Sequence, residues 1–346
     1  MKDGRRFPVQ GRHDTMSPFA SQEPLRLLSL AHIMRTPLPP VDWFVKPVVA
    51  ANERVLLYGE YGSLKSWVLL HLGLHIAAGR KWLDTFEVSK PRAVLYVDEE
   101  MGEYTLRSRV KRIMEGSKLP TDEIPFAVSS REGVRMTEMG GYILLDRIAR
   151  ADFKPDLIIM ESMRRVLVGS ENEQVDVSGF WRAVEPILKA GMTFMVSHHM
   201  RKPHEEGPDN VRYRASGNTD LIAGSDSAWA ATRTAQNAAI IQAIRIRLTE
   251  EPPPFAVEFD WQGEEGPVSA SLGLPPAEAS QGGLATITIL DTLEAGPATS
   301  AQLEAACEAK GVSRRTFQRA LDSLEKQGRV SKVGHLGAWS LTTPCE

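Results

Sequence analysis

A short apolar run, RVLLY at residues 54–58, leads straight into Gly59-Glu60-Tyr61-Gly62-Ser63-Leu64-Lys65-Ser66, and that loop leads straight into WVLLHLGLHIAAG. An apolar run too short for a helix, a glycine loop and a long apolar run read as strand, turn and buried helix. A strand with no polar face has to lie inside a sheet covered on both sides. In that context the loop has the chemistry of a phosphate cradle. Successive backbone N–H groups face phosphate oxygens, and the helix N-terminus adds partial positive charge. Lys65 reaches the β- and γ-phosphates, and Ser66 ligates Mg²⁺. The segment from Gly59 to Ser66 is therefore the predicted site for ATP with Mg²⁺. One position departs from the usual pattern: Leu64 stands directly before Lys65, where glycine is common, so a side chain sits where the backbone is expected to be tightly constrained.

Further runs repeat the alternation. Residues 92–98 (RAVLYVD), 156–161 (DLIIME) and 192–198 (MTFMVSH) read as strands, while 103–116, 141–151 and 176–190 read as amphipathic helices. The predicted fold class is α/β, with a mostly parallel sheet covered on both faces. AIIQAIRIRL and FAVEFDW, past residue 235, read as an antiparallel hairpin finishing that sheet. Residues 1–40 read as an N-terminal arm, 41–261 as the ATPase domain and 262–283, rich in Gly, Pro, Ser and Glu, as a linker. Residues 284–346 carry three helical segments and two short strands around a glycine turn, which predicts a small winged-helix domain.

In open α/β sheets ligands bind at the carboxyl ends of the strands. Three such ends carry polar groups. Asp98-Glu99-Glu100 follows the second strand, and Glu100 is the expected base that polarises the attacking water. Glu161 ends the third strand, where a carboxylate is expected to hold the metal's water shell, although aspartate is the usual residue there. Ser197-His198-His199 ends the fourth, and His198 is the expected γ-phosphate sensor. The polar segment behind it, MRKPHEEGPDNVRYRAS, carries Arg201, Lys202, Arg212 and Arg214 with Tyr213 between them. Basic groups with an interleaved aromatic suit a nucleic-acid backbone, or one arginine reaches a neighbouring subunit's nucleotide.

These stretches, in this order and spacing, resemble the RecA-like ring ATPases. Within them they are most similar to the plasmid replicative helicases of the RepA type, with an AAA-like P-loop core. GEYGSLKS, VLYVDEE, DLIIMESMRRVLVGSENE, MVSHHMRKP and RYRASGN carry the resemblance, from about Trp43 to Trp261. It implies that Lys65 and Ser66 are the phosphate and magnesium residues, Glu100 the catalytic glutamate, Glu161 the metal carboxylate and His198 the sensor. It also implies that Arg214 is the arginine finger, and that the protein is a hexameric ring with ATP at subunit interfaces and single-stranded DNA in the channel.

Composition narrows the alternatives. The 346 residues carry 41 Lys+Arg against 44 Asp+Glu, so a globally basic nucleic-acid coat is excluded while a local basic loop is not. No run of about 18 apolar residues is present, so no membrane span is expected. Two cysteines, Cys307 and Cys345, allow neither a disulfide framework nor a four-cysteine zinc site, and a cytoplasmic location is expected. In the last segment Arg314, Arg315 and Arg319 share one helix and are expected to meet duplex DNA. That segment has seven Lys+Arg against seven Asp+Glu, so docking to a replication protein is the other reading. Three functions follow: a replicative helicase of a mobile element, an ATP-gated DNA-binding assembly or loader with slow hydrolysis, and a nucleotide-responsive winged-helix regulator.

Overall fold

A computed structural model describes residues 27–120, 124–200, 220–273, 281–294, 296–309, 312–326, 329–333 and 338–342. The chain divides into two compact units, Met1–Val41 and Asp42–Glu346. The described part of the first holds one short helix, α1 (Leu30–Arg35), whose N-terminus is capped by the Ser29 hydroxyl accepting from the His32 N–H.

The second unit opens with a small antiparallel pair, β1 (Trp43–Val45) and β2 (Val49–Ala50). Arg92 fixes this pair by lying over the Phe44 ring and pairing with Asp42. The main sheet follows. Its strands are β3 (Arg54–Gly59), β4 (Val94–Asp98), β5 (Phe126–Ser130), β6 (Leu157–Glu161), β7 (Thr193–His199), β8 (Ser227–Arg233), β9 (Ala238–Ile246), β10 (Phe255–Trp261) and β11 (Val268–Gly273). They lie in the order β11-β10-β9-β8-β3-β7-β6-β4-β5. From β8 to β5 every neighbouring pair is parallel, while β8 to β11 run antiparallel and close one side. This is the α/β class with a large, mostly parallel sheet that the apolar runs predict.

Both faces are buried, and strand alternation assigns each residue to a face. Val55 and Leu57 of β3, Val94 and Tyr96 of β4, Leu157 and Ile159 of β6 and Met195 of β7 face one core. Over that core pack α2 (Lys65–Ala78) and α3 (Glu103–Gly116). Leu56, Leu95, Ile158, Phe194 and Val196 face the other. That side is covered by α4 (Gly140–Arg150), the one-turn α5 (Met163–Val166), α6 (Gln174–Lys189) and α7 (Asp220–Gly224). Helix α2 ends at Gly79 in the left-handed conformation (φ 63°), a position where glycine carries no steric cost.

Three strands depart from the sequence expectation. Strand β5 is an edge with no fully buried residue, so it lacks an apolar signature. Strand β8 is largely alanine and packs centrally beside β3. Strand β11 lies inside the segment expected to be a linker. There Val268 is buried and residues 268–273 pair fully with β10, so the linker expectation is corrected over those residues.

The C-terminal part has α8 (Gln281–Glu294), α9 (Ser300–Ala309), α10 (Arg314–Lys326) and an antiparallel pair, β12 (Val330–Val333) with β13 (Ala338–Leu341). Its core is Ile289, Leu303, Cys307, Phe317, Leu321 and Trp339. Ser313 caps α10 through the Thr316 N–H. Among the described residues no helix is long and apolar enough to cross a membrane.

Candidate nucleotide site

Because β3, β4, β6 and β7 are parallel, their carboxyl ends meet at one edge of the sheet. Alternation continues past the last apolar residue of each. Asp98 shares a face with Tyr96, Glu161 with Ile159, and Ser197 and His199 with Met195, so all of them lie on the α2 side.

The loop between β3 and α2 is tight. A side chain at Gly59 would meet the Ala231 carbonyl oxygen at 2.3 Å, so β8 leaves room for glycine alone. Gly62 has φ 76°. Leu64 takes φ 63° and ψ 13°, the left-handed region, at the N-cap of α2. The departure noted in the sequence is thus a strained position in the fold, costing on the order of 1 kcal/mol or more for a residue with a side chain. Leu64 packs against the α2-side core, which offsets part of that cost. Arg233 ties the loop to the end of β8 by donating to the carbonyls of Gly62 (3.1 Å), Ala235 and Gln236.

The Lys65 ammonium is buried and donates to the Gly59 carbonyl at 3.0 Å, the Glu60 carbonyl at 2.8 Å and Ser63 Oγ at 3.3 Å. Burial lowers its pKa, while Glu161, Glu100 and Glu60 pull it back up. Ser66 donates to Glu161 Oε1 at 3.1 Å, and Tyr96 donates to Glu161 Oε2 at 3.3 Å. Burial, with Asp98 nearby, pushes the Glu161 carboxyl up to about 7 against the pull of Lys65. Asp98 turns the chain after β4, its Oδ1 accepting the N–H groups of Glu100 and Met101 at 2.7 Å each. Its Oδ2 is buried with no hydrogen bond among the described residues.

These residues fit a magnesium nucleotide. The loop offers backbone donors and one ammonium for phosphate oxygens, while Ser66 and Glu161 offer hard oxygen ligands side by side. Among the described residues no three His, Cys, Asp or Glu side chains are arranged to hold a metal, so an ion here would take its other ligands from phosphate and water.

Beside the loop opens a cavity of about 650 Å³ lined by Glu60, Tyr61, Glu100, Arg164, Arg165, His199 and Met200. Glu100 Oε1 accepts from Ser162 Oγ at 2.8 Å, with Arg165 Nε and His199 Nε2 each 3.8 Å away. His199 and Ser162 lower its carboxyl to about 2 against the opposing effect of burial. Glu99 is used differently, its oxygens accepting the N–H groups of Gly133 and Val134.

The choice of His198 is corrected. Being next to His199 on a strand, it points to the opposite face, where its ring is fully buried and lies 3.8 Å from the Glu171 carboxylate. His199 is the histidine that lines the cavity. Ser162, Arg164 and Arg165 were also not singled out by sequence reading. Their position directly behind the strand-end Glu161 was the available signal. Arg201, Lys202, Arg212 and Arg214 lie outside the described residues. Arg314, Arg315 and Arg319 are exposed on α10, with Arg314 paired to Glu304 at 3.1 Å.

Residues 21–205 match the family whose description is AAA domain. The chain belongs to the AAA domain family. Family and fold together make it a P-loop ATPase. Among solved structures it is similar to the RadB recombinase, at 16% identity over 61% of this chain and 88% of that one, with a TM-score of 0.42. It is also similar to a KaiC-like protein from Pyrococcus horikoshii OT3, at 12% identity over 68% and 96%, with a TM-score of 0.45. No curated protein matches it.

Proposed function

We propose that this AAA domain ATPase is a motor that acts on DNA, assembled as a hexameric ring and hydrolysing ATP to move on single-stranded DNA in the replication of a mobile element. The observation that carries the reading is the meeting of Lys65, Ser66, Glu161 and Glu100 at one end of the sheet, two of them linked directly by the Ser66–Glu161 hydrogen bond. When bound, Mg²⁺–ATP supplies the bond to be broken and the metal's positive charge. The loop from Gly59 to Leu64 and Lys65 bind and orient the phosphates, and Ser66 with Glu161 holds the metal side. Glu100 accepts the proton of the hydrolytic water, and His199 lines the same cavity with its Nε2 3.8 Å from Glu100 Oε1.

Arg201, Lys202 and Arg212 are proposed to contact single-stranded DNA, and Arg214 to act in trans on a neighbour's nucleotide. Residues 284–346 are proposed to form a winged helix. Its Arg314, Arg315 and Arg319 are exposed and would meet duplex DNA, with a replication protein as the other partner.

A second reading has its own support. Leu64 holds the loop in a strained conformation, and Glu161 is bound by Tyr96 as well as Ser66; both favour an ATP-gated assembly or loader with slow turnover. Steady-state hydrolysis with and without single-stranded DNA, followed by duplex unwinding, separates the two. DNA-stimulated hydrolysis with unwinding supports the motor. ATP binding and DNA assembly without unwinding would replace it with the loader.

A further inference from the structure

Glu100 is held at both main-chain groups and at only one carboxylate oxygen. Its N–H donates to Asp98 Oδ1 at 2.7 Å. Its carbonyl accepts from Arg131 Nε at 3.1 Å and Nη2 at 2.6 Å. Ser162, Arg165 and His199 all converge on Oε1. Among the described residues nothing hydrogen-bonds Oε2, and the side chain lines the open cavity.

Ser162 is the informative member. It is the N-cap of α5, where a serine hydroxyl ordinarily accepts an N–H of the first turn. Here it makes no capping bond and donates to Glu100 instead. A buried hydroxyl that leaves the cap for a carboxylate behind the end of the neighbouring strand gains nothing for its own helix. What it does is remove rotational freedom from a long side chain.

We propose that Ser162 and Arg165, together with His199, are positioning residues for ATP hydrolysis: they fix Glu100 through Oε1 so that Oε2 alone serves as the proton acceptor. The inference rests on the assignment of Glu100 as the base. The arrangement trades strength for geometry. Donors and positive charge on Oε1 make the carboxylate a weaker base, while a fixed acceptor shortens the search for a productive water.

The test is a pair of double-mutant cycles, Ser162→Ala and Arg165→Ala, each in the wild type and in Glu100→Gln, read by kcat and KM for ATP. Arg165 is 61% exposed, so its truncation leaves the fold intact and guards against a Ser162→Ala protein that does not fold. The expected result is a fall of about 10-fold in kcat for each single variant with KM unchanged. In the Glu100→Gln background, whose residual rate is measured under single turnover, neither substitution lowers the rate further. An unchanged kcat in both single variants, or a loss that persists undiminished beside Glu100→Gln, overturns the positioning role. Wild-type turnover by Glu100→Gln alone overturns the base assignment itself, and does so whatever the other variants show.

Discussion

Ser66 at the start of α2 donates its hydroxyl hydrogen to Glu161 at the end of β6 across 3.1 Å, joining residues 95 positions apart in the chain. The bond forms because β3 and β6 run parallel on either side of β7, so the loop after one and the last residue of the other open at the same edge. It brings together two hard oxygen ligands in a place too buried for a carboxylate to ionise without cost.

That cost is measurable. The Glu161 carboxyl titrates at about 7 in the fold against 4.5 for the ordinary group. The unfolded chain therefore releases this proton first, and stability is lost as pH rises from 4.5 to about 7. Glu161→Gln keeps an oxygen acceptor for Ser66 and does not ionise. Urea melts without nucleotide should show the variant gaining on the wild type over that interval, by about 3 kcal/mol at pH 8. Its hydrolysis should fall, and its Mg²⁺ requirement should rise.

Gly59 sits where a Cβ would meet the Ala231 carbonyl oxygen at 2.3 Å and Ser63 Oγ at 2.6 Å. Backbone cannot yield as a side chain does, so Gly59→Ala should push the loop away from β8. The expected loss is about 2–3 kcal/mol in a denaturant melt, with weakened nucleotide binding.

Leu64 sets two effects of similar size against each other. Glycine at this position would relieve the left-handed strain, worth on the order of 1–2 kcal/mol, but would give up partial burial and add unfolded-state freedom. Leu64→Gly should therefore change stability by less than about 1 kcal/mol. Leu64→Val, β-branched at φ 63°, should cost about 2 kcal/mol, because branching crowds this backbone region further. A thermal-melt series ranking valine well below both others checks the account.

His71 is locked neutral in the α2-side core. Trp82 Nε1 donates to its Nδ1 at 3.1 Å, Ser117 Oγ lies 3.3 Å from its Nε2, and it stacks on His75 with centroids 4.0 Å apart. Burial holds its pKa well below 6.5. The unfolded chain takes up this proton first as pH falls through 6.5, so stability is full above that value and declines below it. Between melts at pH 7.5 and 5.5 the wild type should lose about 1.4 kcal/mol relative to His71→Gln, a difference in which the Glu161 contribution common to both cancels.

Much of this was legible in the sequence, and the failures have physical reasons. RVLLY, RAVLYVD, DLIIME and MTFMVSH announced their strands because burial on both faces leaves uninterrupted apolar runs. Ala228, Ala230 and Ala231 of β8 gave no such signal. They are small where β8 passes close to the glycine loop, and alanine carries no strand preference. Val268 lay hidden in a Gly, Pro and Ser-rich stretch until pairing with β10 revealed it. At the site, Lys65, Ser66, Glu100 and Glu161 could be picked by position in the chain. That His199 rather than His198 turns toward α2 follows from the register of β7 against β6, which sets Val196 beside Met160, and an all-apolar run carries no such register. The Ser162–Glu100 bond could not be read either, because it depends on how two strand ends converge.

The most direct test compares nucleotide binding and single-turnover hydrolysis of Mg²⁺–ATP by the wild type, Lys65→Ala and Glu100→Gln. The account predicts binding and hydrolysis by the wild type and loss of binding by Lys65→Ala. It predicts that Glu100→Gln binds ATP as the wild type does but hydrolyses it at least about 100-fold more slowly. Hydrolysis by Glu100→Gln at the wild-type rate, or full ATP binding by Lys65→Ala, would contradict it.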